Sequence, residues 1–197
     1  MFIAFEGLDG CGKTTQIDML KALNFKDVTF IKEPYHFNAA IKKCLYETEF
    51  ISPVAHTFLF LACHAEAYAK WPKTKYIISD RSLYSTLAYT YGYNGDLANK
   101  VYNTLRMYTI DNFPQIIFYL KMPVPTIDDR LKYRKTKDKI ESKNTKYFYR
   151  VNSFFNKLSE EPSNISKWII LDARQPPKII HKRVMEVLAK EILNGNV

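Results

Sequence analysis

Met1–Gln16 reads MFIAFEGLDGCGKTTQ, and this stretch sets the expected architecture of the whole chain. The apolar run Phe2–Phe5 predicts a short buried strand. It leads into Gly7–Thr14, which matches the pattern G-x-x-x-x-G-K-[ST] at every fixed position. Glycines let backbone N–H groups turn toward phosphate oxygens, while Lys13 supplies a cation and the Thr14 hydroxyl can ligate Mg²⁺. We therefore predict a phosphate-binding loop, or P-loop.

The residues after the loop predict a helix whose N-terminus faces the phosphates. Ile17, Leu20 and Leu23 place apolar side chains at helical spacing, and the positive end of a helix dipole favours anions. A chance glycine-rich turn before an ordinary helix is the competing interpretation. Strand, loop and helix occur in the required order, which favours the P-loop. Kinases, GTPases, ATPases and helicases all share such a loop, so other residues must distinguish among them.

Length and composition favour one compact domain, residues 1–197. The chain has 197 residues, of which 47% are hydrophobic and 15% aromatic, enough for a sizeable core. No apolar run approaches a membrane span and the first residues form a strand rather than a basic leader, so we expect a cytoplasmic protein without a membrane partner. Cys11, Cys44 and Cys63 lie far apart without metal-ligand spacing, and we interpret them as reduced thiols.

The net charge of +9 allows nucleic acid, an anionic membrane surface or small polyanionic substrates as partners. The densest basic run is Arg130–Lys139. Lysine-rich runs are usually solvated surface, so charge alone does not choose among these partners.

Short apolar strands alternate with helices along the chain. This alternation predicts an α/β fold, a five-stranded parallel sheet with helices on both faces and right-handed crossovers. The predicted strands are Phe2–Phe5, Val28–Ile31, Tyr76–Ser79, Gln115–Leu120 and Trp168–Leu171. The predicted helices are approximately residues 15–23, 38–46, 52–70, 82–91, 96–110, 124–133, 144–158 and 177–193. The helix at 52–70 is apolar on more than one face, so we expect it to be largely buried.

Ligands of such sheets bind at the carboxyl ends of the strands. The loop Gly7–Thr14, Lys32-Glu33, Asp80-Arg81 and the loop after Leu171 all follow predicted strands. We therefore expect these four segments to form one site.

The opening FEGLDGCGKTTQ and the later DRSLYSTLAY of Asp80–Tyr89 together resemble the thymidylate kinases. The resemblance continues through Glu33-Pro34, the helix around Phe60, Asp138–Glu141 and Leu171–Gln175, in the same order and spacing, so it spans nearly the whole chain. It implies the P-loop NTPase fold and transfer of the γ-phosphoryl group of ATP to dTMP, with Mg²⁺ as cofactor. It also implies a homodimer packed through helices on one face of the sheet.

The resemblance implies a role for most loop residues. Lys13 would hold the β- and γ-phosphates, and Thr14 and Asp80 would bind Mg²⁺. Asp9 would contact the acceptor nucleotide, where a carboxylate can accept a sugar hydroxyl or order a water; a plain turn residue is the alternative. Cys11 lies near Lys13 and the loop amides, which favour a thiolate, so we expect a thiol sensitive to alkylation or oxidation. The loop residues expected at ATP are Gly7, Gly10, Cys11, Gly12, Lys13, Thr14 and Thr15.

By the same resemblance, Arg81 binds the phosphate of dTMP, a task that suits a planar guanidinium with five donors. An Asp80–Arg81 pair that merely caps the next helix is the alternative. Tyr89 resembles the aromatic residue that lies beside the deoxyribose and disfavours a 2′-hydroxyl, and Ser85 belongs to the same dTMP-binding set.

Two positions of the expected dTMP site depart from the family's pattern. Phe60 falls where the family stacks a Phe on thymine, but His64, one helical turn later, replaces the usual Arg. An imidazole can still donate to a thymine carbonyl, so a broader dTMP/dUMP kinase is an alternative. Lys32-Glu33 stands in place of an Arg-Glu pair. Because Lys lacks bidentate geometry, we expect weaker acceptor binding unless Arg81 compensates.

The basic segment resembles the family's lid, at about residues 130–143, which closes over ATP. The P-loop contains no Arg, so the lid would supply the cation for the transferring phosphoryl group. Arg134 is the leading candidate, with Arg130 and Lys139 as further ATP contacts. Arg174 could stack on adenine, or belong to a simple strand-to-helix turn. The expected catalytic set is Asp9, Lys13, Arg81 and Arg134.

Two other functions remain open. A deoxynucleoside (thymidine) kinase needs a general base for a sugar hydroxyl, and Glu6, Glu33 or Asp80 could serve. Against this function, Lys32 and Arg81 provide more positive charge than a neutral acceptor requires. A nucleic-acid-binding ATPase needs aromatic and basic residues interleaved on one surface, whereas the tyrosines are scattered. We therefore expect ATP and dTMP as ligands and no nucleic-acid partner.

Overall fold

The computed structural model describes residues 1–33, 43–45, 52–71, 74–108, 113–132, 144–163 and 165–194. The strands in these ranges are β1 (Phe2–Glu6), β2 (Val28–Lys32), β3 (Tyr76–Asp80), β4 (Ile116–Lys121) and β5 (Lys167–Asp172). The helices are α1 (Lys13–Lys21), α2 (Pro53–Lys70), α3 (Leu83–Tyr93), α4 (Gly95–Tyr108), α5 (Val124–Lys132), α6 (Thr145–Glu160) and α7 (Pro177–Asn194). The helix predicted at 38–46 and the lid predicted at 130–143 fall largely outside the described residues.

The five strands pair in parallel in the order β2-β3-β1-β4-β5, which confirms the predicted α/β sheet. β1 is therefore the central strand, with the P-loop at its carboxyl end. The register aligns Phe5 of β1 and Lys32 of β2 with Asp80 of β3. The segments that follow these three strands consequently meet at one edge of the sheet.

Polar caps fix where two of the helices begin. The Ser52 hydroxyl accepts a hydrogen bond from the Ala55 N–H at 3.1 Å, and Pro53 occupies the first turn of α2. The Asn144 side chain accepts from the Tyr147 N–H at 2.9 Å at the start of α6. Both helices therefore start within one residue of the positions that the sequence predicts.

Alternate residues of β1 face opposite sides of the sheet, as strand geometry requires. Phe2 packs against Tyr68 and Trp71 at the end of α2. Ile3 and Phe5 belong instead to the main core cluster, which includes Ile17 and Leu20 of α1. Helices therefore cover both faces of the sheet.

α2 is less buried than the sequence predicts. Its buried residues are Thr57, Cys63, His64 and Ala67, and Phe58 is 56% exposed. The prediction was wrong because α2 packs chiefly against α3 along one face, which leaves its other apolar side chains accessible. Among the described residues, no helix combines the length and the apolar character that crossing a membrane requires.

Candidate active site

The P-loop depends on three glycines with positive φ. Gly7, Gly10 and Gly12 have φ of 138°, 79° and 104°, a region that costs other residues energy. A Cβ at Gly7 would also lie 2.7 Å from the Leu120 carbonyl oxygen and 2.9 Å from the Cys11 sulfur. The loop thus passes too close to β4 for any larger residue, and it directs the chain into α1 at Lys13.

Lys13 lies across the loop. Its Nζ donates to the carbonyl oxygens of Gly7 at 3.1 Å and Leu8 at 2.9 Å, and the residue is only 5% exposed. Thr14, the next residue, donates its hydroxyl to the Asp80 carboxylate at 2.8 Å. Thr14 and Thr15 are exposed at the start of α1. The start of α1 and the end of β3 therefore meet through a hydroxyl–carboxylate contact.

Cys11 is less accessible than the sequence predicts. The residue is 1% exposed, and its sulfur packs beneath Gly7. Burial raises the pKa of the Cys11 thiol and outweighs the opposing charge of Lys13. The prediction of an accessible, thiolate-forming cysteine was wrong because the side chain points into the core and away from the ligand side of the loop.

Arg81 follows β3 with a left-handed backbone, φ 76°. Its N–H donates to the Phe5 carbonyl oxygen at 3.0 Å. Its guanidinium pairs with the Asp9 carboxylate and donates to the Ser85 hydroxyl at 2.8 Å and to the Tyr89 hydroxyl at 3.3 Å. Burial acts to lower the pKa of Arg81, but the neighbouring acidic groups, Asp9 foremost, together raise it well above its usual value. The cation is therefore permanent and held from several sides.

Asp9 is fixed on both carboxylate oxygens. One pairs with Arg81, and the other accepts from the Tyr89 hydroxyl at 2.5 Å. Burial acts to raise the pKa of Asp9, but the charges of Arg81 and Lys13 and the Tyr89 hydrogen bond hold it below its usual range. Asp9 is therefore an anion at neutral pH and a poor proton acceptor.

His64 joins two elements through both ring nitrogens. Its Nε2 lies 2.8 Å from the Thr86 hydroxyl on α3, and its Nδ1 lies 3.1 Å from the Glu33 carboxylate that follows β2. His64 and Glu33 are 2% and 1% exposed. Near by, the Phe60 ring packs edge-on against His56 at a centroid distance of 4.8 Å. The imidazole is thus hydrogen-bonded to Thr86 on one side and close to the Glu33 carboxylate on the other.

One cavity of about 180 Å³ brings the predicted acceptor residues together. The predicted dTMP-binding residues that line it are Asp9, Lys32, Glu33, Phe60, His64, Arg81, Ser85 and Tyr89. The lining residues that sequence reasoning missed are Pro53, His56, Thr57, Ser82, Thr86, Thr90, Tyr93 and Tyr147. Thr86 and Tyr93 lie three and four residues from Tyr89 on one helix face, and Thr90 lies four residues after Thr86, a signal that could have identified them. Tyr147 reaches the cavity from α6, and nothing local in the sequence indicates this.

Arg174 is bound by its own turn. Its guanidinium donates to the Asp172 carboxylate at 2.9 Å from Nε and 2.8 Å from Nη2, and these bonds lower the pKa of Asp172 to about 2. The side chain is 63% exposed beside a shallow cavity that Lys121 and Asn152 also line. The adenine contact predicted for Arg174 stays a prediction.

The remaining predicted residues belong to the basic segment. Arg134 and Lys139 lie outside the described residues, and the side chain of Arg130, in α5, is not among those described. Within the described ranges, no group of three or more His, Cys, Asp and Glu side chains could hold a metal ion by itself. A metal bound here would need ligands from elsewhere.

The five-stranded parallel sheet and the loop Gly7–Thr14 define a protein of the P-loop NTPase fold. A family model described as thymidylate kinase matches residues 5–184. A thymidylate kinase of Campylobacter jejuni is 36% identical, with 95% of this chain and 100% of that one aligned, and one of Fervidobacterium nodosum is 30% identical over 95% and 98%. The chain therefore belongs to the thymidylate kinase family, whose members are nucleoside monophosphate kinases.

Solved structures share the fold. The thymidylate kinase of Ehrlichia chaffeensis superposes with a TM-score of 0.70 at 24% identity, covering 95% of this chain and 98% of that one. A deoxyadenosine kinase of M. mycoides superposes with a TM-score of 0.73 at 19% identity, covering 96% and 100%. A thymidylate kinase and a deoxyadenosine kinase thus share this fold.

Proposed function

We propose that this protein transfers the γ-phosphoryl group of ATP to dTMP, giving ADP and dTDP. The observation that carries the acceptor assignment is Arg81, a permanently charged guanidinium held by Asp9 and Ser85 in the wall of the cavity. Planar guanidinium donors match phosphate oxygens, whereas a neutral nucleoside has no anionic group for this cation to bind. Lys32 lines the same cavity and adds charge for the acceptor phosphate.

The P-loop would hold the donor. Backbone N–H groups of the loop and of the first turn of α1 suit the phosphates of ATP, and Lys13 is positioned to exchange its bonds to the Gly7 and Leu8 carbonyls for phosphate oxygens. A negatively charged phosphate oxygen forms a stronger hydrogen bond with an ammonium group than a neutral carbonyl oxygen does. Lys13 would then neutralise the charge on the transferring group.

Thr14 and Asp80 fit a Mg²⁺ site. Their hydroxyl and carboxylate oxygens lie 2.8 Å apart, and both are the hard oxygen ligands that Mg²⁺ prefers, with water and substrate phosphates completing its shell. Mg²⁺, when bound, supplies charge neutralisation to the β- and γ-phosphates.

The cavity lining suits a thymine deoxynucleotide. Phe60 offers an aromatic face, and Thr86, whose hydroxyl is oriented by His64, offers a polar contact for a base edge. His64 therefore acts on the base through Thr86. The Tyr89 ring, fixed by its bond to Asp9, occupies space beside the sugar and disfavours a 2′-hydroxyl.

The lid, residues 130–143, would supply the cation that contacts the transferring phosphoryl group. Arg134 would reach the transferring phosphoryl group, with Arg130 and Lys139 beside ATP and Arg174 near adenine. Negative charge develops on the leaving oxygen of ADP toward the transition state, so a cation beside the transferring phosphoryl group raises kcat more than it raises substrate affinity.

A deoxynucleoside kinase would need a carboxylate that can accept a proton from a sugar hydroxyl. Asp9 pairs with Arg81, Glu33 faces His64, and Asp80 accepts from Thr14. Glu6 is fully buried. These engagements favour a phosphate acceptor over a neutral one.

We also propose that two copies associate through α2. Val54 and Phe58 on this helix are 44% and 56% exposed, and apolar side chains concentrated on one helix suit contact with a second copy. Light scattering should give the mass of a dimer, and Phe58→Asp should give a monomer.

ADP release from Mg²⁺·ATP with dTMP, dUMP, dGMP, thymidine or no acceptor tests the proposed function. We expect turnover with dTMP, weaker turnover with dUMP and none with thymidine. Equal turnover with dTMP and dUMP would show that the enzyme is a broader dTMP/dUMP kinase. Phosphorylation of thymidine alone would overturn the acceptor assignment.

A further inference from the structure

Glu6, the last residue of β1, is a buried carboxylate with three hydrogen bonds. It is 0% exposed. Its Oε1 accepts from the N–H and from the hydroxyl of Ser82, both at 2.7 Å, and its Oε2 accepts from the hydroxyl of Ser85 at 2.5 Å. A buried acceptor of this kind fixes the direction of every donor that it engages.

The bond to Ser85 extends to the phosphate-binding cation. Because the Ser85 hydroxyl proton points to Glu6, the lone pairs of its oxygen are left for another donor, and Arg81 Nη1 occupies one of them at 2.8 Å. The chain of donors therefore runs in one direction, from Arg81 through Ser85 to Glu6. Burial raises the pKa of Glu6, while the two serine hydroxyls and the Arg81 charge act in the opposite direction.

The bonds to Ser82 act on the backbone that carries Arg81. A left-handed conformation costs an ordinary residue about 1–2 kcal/mol, and Arg81 adopts it with φ 76°. The Arg81 N–H is held by the Phe5 carbonyl oxygen at 3.0 Å, and the Ser82 N–H is held by Glu6 at 2.7 Å. Consecutive residues of β1 thus hold both sides of this turn.

We propose that Glu6 is a positioning residue that aligns the Arg81 guanidinium for the phosphate of the acceptor nucleotide, through Ser85 and through the turn at Ser82. The inference rests on the proposed function, because it takes Arg81 as the ligand of that phosphate. Glu6 lies behind the cavity wall and does not line the cavity. Its effect must therefore be exerted through Ser82 and Ser85.

The test compares dTMP with thymidine, which lacks the phosphate. Glu6→Gln replaces one accepting carboxylate oxygen with an NH₂ group that faces the serines. Ser85→Ala removes the hydroxyl that joins Arg81 to Glu6 but keeps the two hydrogen bonds from Ser82 to Glu6. Ser166→Ala is the matched control, because Ser166 is another buried hydroxyl, bonded to Tyr84 at 3.0 Å and to the Pro114 carbonyl at 2.6 Å, outside the cavity. Calorimetry measures the Kd of each ligand, and circular dichroism checks folding.

We expect both site variants to raise the Kd of dTMP at least tenfold, roughly the value of one hydrogen bond to a charged group, and to leave the Kd of thymidine within about twofold. Ser166→Ala should leave both constants unchanged. A merely structural role would weaken both ligands by the same factor.

Equal losses for dTMP and thymidine, or an unchanged Kd of dTMP, would overturn the positioning role. If Glu6→Gln fails to fold, Glu6→Asp, which keeps the charge but shortens the reach to Ser82 and Ser85, carries the same comparison, because Ser85 itself lines the cavity. Arg81→Ala separates the two proposals: an unchanged ratio of dTMP to thymidine affinity in that variant would refute Arg81 as the phosphate ligand, and with it the proposed acceptor site.

Discussion

The hydroxyl of Tyr147 donates to the main-chain oxygen of Tyr89 at 2.9 Å and ties α6 to the middle of α3. Gly92 makes this approach possible, because a Cβ there would lie 2.3 Å from Tyr147 Cε2. Tyr89, which lines the cavity, is thus braced from a helix far along the chain.

Gly92→Ala should therefore destabilise the protein, although Ala is normally the better helix residue by about 1 kcal/mol. Overpacking against Tyr147 should lower the free energy of unfolding by about 1–3 kcal/mol, measured with urea. Adding Tyr147→Leu should recover most of that loss, whereas adding Tyr147→Phe, which keeps the ring, should not. If Gly92→Ala lowers the free energy of unfolding equally in the wild type, in Tyr147→Leu and in Tyr147→Phe, the ring contact is not the cause.

Asp9→Asn should reduce stability in a pH-dependent manner. The pKa of Asp9 is lower in the folded protein than in the unfolded chain, so its contribution is complete above the unfolded value near 4 and disappears as the pH falls through the folded value. We expect a loss of about 1–3 kcal/mol at pH 7 that shrinks below about pH 4.

Denaturation at pH 7 and pH 3 measures this difference. Asp18→Asn is the control, because Asp18 is 63% exposed and 3.8 Å from Lys21, and such pairs contribute little. A difference between Asp9→Asn and wild type that stays constant with pH would contradict the ion pair as its source.

Thr86→Val keeps the side-chain volume but removes the partner of a buried imidazole. Leaving His64 Nε2 unpaired should cost about 1–3 kcal/mol of stability. Thr104→Val is the same change at an exposed position, where the hydroxyl bonds the Lys100 carbonyl oxygen at 3.0 Å, and it should stay within about 0.5 kcal/mol of wild type. Equal effects on the unfolding free energy would show that the His64 contact contributes nothing.

Cys11 should resist alkylation in the folded protein. Cys11 and Cys63 are buried, whereas Cys44 is partly exposed, and burial raises the pKa of both buried thiols. Iodoacetamide labelling followed by peptide mass spectrometry should modify Cys44 at least tenfold faster, since only an accessible thiolate reacts. Denaturant should equalise the rates; native labelling of Cys11 as fast as Cys44 would refute its burial.

The strands and the P-loop could be predicted because their signals are local. Apolar runs of strand length and fixed glycine spacing need no knowledge of distant residues, and the shared motifs indicated which side chains line the cavity. The partners of His64 could not be predicted in this way, because Glu33 and Thr86 are distant along the chain and meet it only after β2 and α3 pack. Cys11 was misjudged for a related reason: its neighbours in sequence favour a thiolate, but its neighbours in space exclude water.

The backbone of Arg81 also sets a limit on protein engineering. Asn24 and Asp27, with φ of 49° and 58°, are exposed turn residues where replacement by glycine relieves conformational cost at no loss to the cavity. The same rule applied to φ 76° would select glycine at position 81 and delete the guanidinium. A thermostabilisation scheme guided by backbone angles alone would thus alter two exposed turns and, at the third position, remove the guanidinium that the proposed acceptor site requires.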